Sequence, residues 1–351
     1  MKSEILLCSE CFRDEGLKIN SYHIGMANEN SCPNCNSTSG KKLDKTLIDK
    51  LMYQFFVVGT FYRTDFGGAP IIECNSYHNK KTDIKISKWL ENDLELLENN
   101  GTMGLFYYGP RLWMVGEIEP LKALIDKSKR NEIITDILEK YPSRTLDSSN
   151  YFYRVRIDPK SPQSIQEYCA APDELLGNGR LDSKSFPVLY GSEIIDLCLH
   201  ECRVRSEDAI FMAKLRPTSK FKLLDLTALI DENVTEFESL DLAVHFLFLA
   251  GDHSYEICRD ICKKAKSEGF DGIIFPSYFS YIASGHQPFD TTYGISIRKI
   301  PEMKDYAKSQ SIPNIAIFGR PIRNKKITVE SVNKVNLTKV TYNAIFGPVE
   351  V

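Results

Sequence analysis

VLYGSEIIDLCLHECRV, residues 188–204, reads as a short strand running into a helix, and its reading decides how the second half of the chain is understood. Ile194, Leu197, Cys198 and Glu201 fall at i, i+3, i+4 and i+7, so helical spacing places Glu201 on a face with residues expected to pack inward. A carboxylate in such a place costs roughly several kcal/mol unless hydrogen bonds or a cation compensate it. Ser192 is the expected N-cap of this helix. The neighbouring His200 is a poor choice of catalytic base, because adjacent helical residues diverge by about 100° and His200 should instead approach Asp196.

Working outward, YFYRVRI (151–157) alternates as a half-buried strand, with Arg154 and Arg156 on one face and Tyr153 and Val155 on the other. Two guanidinium groups side by side suit phosphate or carboxylate recognition, although a solvated sheet face would read the same way. The loop GNGRLDSKS (177–185) adds Arg180 between glycines that let backbone approach a ligand. HSYEICRDICKKAKSEGFDGIIFPS (253–277) reads as a helix with Ile257, Cys258, Ile261, Cys262 and Ala265 inward. Gly269 stops that helix, and an apolar strand follows, ending beside Ser277. SGHQPFDTTYG (284–294) reads as a loop and NIAIFG (314–319) as a further apolar strand.

The N-terminal part carries a different signal. Cys8-Ser-Glu-Cys11 and Cys32-Pro-Asn-Cys35 are paired knuckles that aim four thiolates at one tetrahedral Zn2+, and the 20 polar residues between them offer little apolar burial, with Gly16 and Gly25 as turn residues. Four Cys ligands leave no open coordination position, so Cys8, Cys11, Cys32 and Cys35 define a structural zinc ribbon, the alternative being unliganded thiols. Cys198/Cys202 and Cys258/Cys262 sit in apolar stripes and read as small core residues. The chain divides into a ribbon (1–40), a mixed α/β segment (41–146) and a third part (147–351), with the linker-like PSRTLDSSN (142–150) at the last boundary. In the middle segment LDKTLIDKLMYQF reads as helix, FVVGTFY as strand, and SKWLENDLELLENN as an amphipathic helix begun by Ser87.

The 351 residues are 42% hydrophobic and 26% charged, with a net charge of -3, which is ordinary for a soluble protein and supplies no excess cation for a nucleic-acid backbone. MKSEILLCSE lacks a secretory h-region and LAVHFLFLAG (242–251) is too short to span a bilayer, so a cytoplasmic protein without membrane association is expected. No Gly-x-Gly-x-x-Gly follows a strand, which disfavours a hydride-transferring dinucleotide fold. The sequence leaves the oligomeric state open.

The order FYR, GR, VLY, HE, GFDGIIFPS and NIAIF, over about residues 150–320, resembles the RES domain family, named for a dispersed Arg, Glu and Ser. The N-terminal segments are similar to an extension carried by one branch of that family. The resemblance implies an α+β, ADP-ribosyltransferase-like fold that consumes NAD+ by cleaving the nicotinamide–ribose bond, with phosphate or water as acceptor. It further implies a toxin or defence effector that depletes NAD+, working beside a separately encoded inhibitor or antitoxin. Carried over residue by residue, it points to Arg154 with Arg156 as neighbour, Arg180, Tyr190, Glu201 and Ser277. GRLD departs from the family, where an aromatic residue and Asn commonly follow Gly-Arg, which puts ligand contacts by Leu181 and Asp182 in doubt.

The chemistry asks for these residue types. Departure of nicotinamide leaves an oxocarbenium-like sugar, which a fixed carboxylate such as Glu201 stabilises best where water is excluded. Arg154 and Arg180 would clamp pyrophosphate or an attacking phosphate, Tyr190 would stack near nicotinamide and orient the ribose, and Ser277 would place the nicotinamide end or Glu201. Other assignments compete: Arg154 as a surface charge, Tyr190 as core filling, and Glu201 paired with Arg203 or Arg205. Two other functions are also open, transfer of ADP-ribose to a macromolecule and a zinc-ribbon adaptor that binds a nucleotide without turning it over.

Overall fold

The computed structural model describes residues 4–75, 82–109, 111–280, 291–292, 295–341 and 344–350. Most of the loop read at 284–294 lies outside the described residues. Contacts gather the chain into two compact units, one of residues 1–64, 68–115 and 341–351, the other of 65–67 and 116–340.

In the first unit, strands Leu7–Cys8 and Lys42–Leu43 pair antiparallel and hold the two cysteine knuckles near one another. The segment between the knuckles is not merely turn: Glu15–Ile24 is a helix whose N-cap Asp14 accepts from Leu17 N at 2.9 Å. Gly16 therefore lies inside the helix and Gly25 at its C-cap. FVVGTFY, read as strand, continues the preceding helix (Lys45–Met52) through a wider turn at Tyr53–Val57, and only Phe61–Arg63 is extended. The cause is burial, since Phe55 and Phe56 reach a core shared with Leu7, Leu17, Ile48 and Leu51, which overrides their β propensity. Ser87 opens a turn and does not cap a helix; the helix runs Glu91–Asn100 after Leu90.

The second unit contains a three-stranded antiparallel sheet, ordered Ile327–Val335, Ile210–Pro217, Phe152–Ile157. It also contains a five-stranded mixed sheet, ordered Ser143–Leu146, Phe221–Asp225, Gly272–Pro276, Pro313–Phe318, Val188–Gly191. Only Phe221–Asp225 and Gly272–Pro276 run parallel, and such a pair needs a long crossover. Helices Leu240–Leu249 and Tyr255–Ser267 lie within that crossover. The second buries the five residues expected from its periodicity and ends before Gly269 at φ 84°. LAVHFLFLAG is the almost wholly buried first helix, and no described helix is long and apolar enough to cross a membrane. PSRTLDSSN is not all linker, because Ser143–Leu146 forms the edge strand and Leu146 is fully buried in the core.

The two sheets meet at one seam. Tyr153 and Ser192 exchange backbone hydrogen bonds of 2.7 and 3.0 Å, which brings the Arg154 strand against the end of Val188–Gly191. Gly191 permits this approach, since a Cβ there would lie 2.5 Å from the Phe152 ring and 2.6 Å from Tyr153 O.

Candidate active site

The helix carrying Glu201 is short, Ile195–Glu201, and Ile194 caps it without a side-chain bond. Ser192, expected as the N-cap, lies two residues before it, its Oγ accepting from Ile194 N and donating to Pro313 O, both at 3.2 Å. Leu197 and Cys198 are buried as the spacing requires, but Ile194 and Glu201 are exposed. Glu201 is thus not buried in the core. It stands at the last turn of its helix, facing a cavity of about 500 Å³ whose walls include Arg154, Arg180, Tyr190, Phe275, Tyr278 and Asn314.

Two donors fix the carboxylate. Ser277 Oγ and Asn314 Nδ2 each reach Glu201 Oε1 at 2.5 Å, while Oε2 has no protein partner among the described residues. The sheet explains the convergence: Phe275 pairs with Asn314 across adjacent strands, and Ser277 follows the first of these strands by one residue. Ser277 is fully buried and its Oγ also accepts from Phe279 N at 3.0 Å, so its rotamer is held from both sides. Among the described residues no ion pair joins Glu201 to Arg203 or Arg205. His200 lies outside the cavity wall, its ring stacked against Phe279 at 6.2 Å instead of approaching Asp196.

The arginines are placed differently from a free cationic platform. Arg154 is buried and donates to Tyr190 O at 2.6 Å and Cys169 O at 3.2 Å, with its Nε left without a partner among the described residues. Burial, and after it the charge of Arg156, pulls its guanidinium down to about 9, still protonated at neutral pH. Arg156 does not line the cavity; it donates to Glu167 O at 2.6 Å and Cys169 O at 2.7 Å, tying the 167–169 segment to the sheet. Arg180 lines the cavity but donates to Leu247 O, Ser254 Oγ and Ala250 O at 3.3, 3.0 and 2.7 Å, with the Tyr255 ring 4.8 Å away.

Tyr190 belongs to the same wall, and its hydroxyl is fully occupied. It accepts from Leu181 N and Asp182 N at 2.9 and 3.2 Å and donates to Asp182 Oδ1 at 2.9 Å. Burial, then the Asp182 charge, pushes the phenol well above its ordinary value, so the proton stays on oxygen. Asp182 Oδ2 also accepts from Gly177 N at 2.6 Å, and a Cβ at Gly179 would lie 2.1 Å from Asp182 Oδ1. Leu181 and Asp182 are both buried, so the GRLD sequence folds inward and shapes the loop that presents Arg180. Asn314 is the residue the sequence reading passed over; an amide in an otherwise apolar strand was the available signal, because a buried amide requires a partner.

The four N-terminal thiols form a second constellation. Cys8, Cys11, Cys32 and Cys35 place all their sulfurs within 4.8 Å of one another, with Cys8–Cys35 and Cys11–Cys32 at 3.5 Å and Cys8–Cys11 at 3.8 Å. A tetrahedral ion with Zn–S bonds of about 2.3 Å would hold sulfurs about 3.8 Å apart, so the donor set and spacing fit such an ion.

A mixed α/β domain with a cavity at the seam of two sheets and a carboxylate clamped by hydroxyl and amide has the form of a small-molecule site. Residues 152–287 match the family model described as the RES domain. No curated protein matches the chain. It is also similar to a chain of the crystal structure of the M. tuberculosis MbcT–MbcA toxin–antitoxin complex, at 12% identity over 63% of this chain and 94% of that one, with a TM-score of 0.31.

Proposed function

We propose that this protein degrades NAD+ by cleaving the bond between nicotinamide and ribose, as an NAD+ phosphorylase or glycohydrolase acting as a toxin. The observation that carries this reading is the asymmetry of Glu201, which lines the cavity: Oε1 is anchored by Ser277 and Asn314, while Oε2 has no partner among the described residues. A carboxylate oriented before the substrate arrives stabilises a developing ribosyl cation without reorganising. Tyr190, Tyr255, Tyr278 and Phe279 supply aromatic surface for the nicotinamide and adenine rings. Arg154 and Arg180 add positive charge to the walls, and the RES domain match over residues 152–287 is consistent with the same chemistry.

Within this reading the catalytic part, 147–351, has the ADP-ribosyltransferase-like α+β fold of the family. Residues 1–40 form a zinc ribbon in which Cys8, Cys11, Cys32 and Cys35 hold a structural Zn2+, and 41–146 serve regulation or partner binding. A separately encoded antitoxin is the expected macromolecular partner. The test is to incubate the purified chain with NAD+, with and without inorganic phosphate, and resolve the products. Free ADP-ribose identifies a glycohydrolase, a phosphate-dependent phosphorylated ADP-ribose a phosphorylase, and labelled protein or nucleic acid a transferase. Unchanged NAD+ would overturn the reading in favour of a nucleotide-binding adaptor.

A further inference from the structure

Three arginines line the cavity, and two already serve the protein's own backbone. Arg154 holds Tyr190 O and Cys169 O, and Arg180 holds Leu247 O and Ala250 O. Arg203 differs from both. It is exposed on the same cavity, and its guanidinium has no hydrogen bond or ion pair among the described residues.

Its backbone is also unusual. Arg203 N donates to His200 O at 3.0 Å and Val204 N to Leu199 O at 3.4 Å, the two bonds of a Schellman turn, with Arg203 at φ 50° in the position normally given to glycine. A side chain in the left-handed region is strained. Attraction between a cation and a helix C-terminus does not account for the choice, because Arg or Lys in the preceding turn would gain it with ordinary backbone angles.

We propose that Arg203 is the phosphate-binding cation of this cavity. Its planar fork takes two oxygens of a phosphate group, either the pyrophosphate of a bound dinucleotide or free inorganic phosphate, while Arg154 and Arg180 act as positioning residues. Glu201 and Arg203, two residues apart at one helix end, then sort a dipolar ligand, with the cationic sugar at the carboxylate and the anionic phosphate at the guanidinium. The assignment deepens the NAD+ reading where it concerns turnover, but phosphate binding can be measured without it.

The experiment titrates ADP-ribose, inorganic phosphate and adenosine into the full chain and its Arg203→Gln, Arg203→Lys and Arg203→Gly variants by calorimetry, alongside thermal unfolding. Arg203→Gln is expected to weaken ADP-ribose or phosphate about tenfold or more with adenosine unchanged, and Arg203→Lys to weaken it less. Arg203→Gly should lose the same affinity while melting no lower than wild type, because it relieves the left-handed strain; a purely structural Arg203 would give the reverse pattern. In turnover, a raised KM for NAD+ with kcat within about twofold identifies the pyrophosphate, whereas a raised KM for phosphate alone identifies the free anion. Anion affinities equal in wild type and Arg203→Gln, or no anion binding by either, would overturn the proposal. Binding through Arg203 without any NAD+ cleavage would uphold it and refute the enzymatic reading alone.

Discussion

The hydroxyl of Ser277 donates to Glu201 Oε1 across 2.5 Å although 76 residues separate them in the chain. The bond joins the end of a central strand to the end of a helix, and with Asn314 it converts an exposed, rotatable glutamate into an oriented one. Its value lies in orientation more than in stability, since Glu201 is exposed and lines the cavity instead of packing in the core.

Glu201→Gln should therefore lower NAD+ cleavage by about 100-fold or more while leaving the thermal midpoint nearly unchanged, because the amide keeps the shape and loses the charge. Product formation measured beside a melting curve decides the point. A variant that turns over at the wild-type rate removes Glu201 from the chemistry.

Ser277→Ala and Asn314→Ala each delete one donor to the same oxygen. A charge-assisted hydrogen bond of this kind contributes about 1.5–3 kcal/mol, so each single variant should lower kcat by roughly 10- to 100-fold. The double variant should fall short of the product of the two losses, as expected for donors sharing one acceptor. Strict multiplicativity would show that they act on different groups.

Tyr190→Phe keeps the ring in the cavity wall but leaves Leu181 N, Asp182 N and Asp182 Oδ1 without their shared partner. A loss of about 1–3 kcal/mol in urea unfolding is expected. An unchanged midpoint would mean that the loop presenting Arg180 is held by other contacts.

Purified wild-type protein should contain about one equivalent of zinc, and Cys8→Ser or Cys32→Ser should abolish it. Elemental analysis reads this directly. The same variants should expose the N-terminal segment to proteolysis, because strand Leu7–Cys8 and helix Glu15–Ile24 lie between and beside the knuckles. Wild type without metal would defeat the assignment.

Local patterns were legible without coordinates. The inward face of helix Tyr255–Ser267, its stop at Gly269, and the convergence of Cys8, Cys11, Cys32 and Cys35 follow from spacing and side-chain type within a few turns. Short-range geometry also placed Leu197 and Cys198 inward, but it overextended the same stripe to Ile194 and Glu201, because the helix runs only from Ile195 to Glu201 and these two residues stand at its ends. Ser143–Leu146 and Phe56, at the start of FVVGTFY, were misread for the opposite reason, since partners distant in the chain decided their conformation.

The sequence by itself determined which residue types were present for the chemistry and the secondary structure around several of them. Only the tertiary structure decided that Asn314 joins Ser277 at Glu201, that Arg154, Arg156 and Arg180 hold carbonyls, and that Arg203 lines the cavity without a partner among the described residues. The physical reason is range. Helical and strand periodicities act over a few residues, whereas hydrogen-bond partners are chosen by strand register and by the need to satisfy buried carbonyls, which chain folding brings together from far apart.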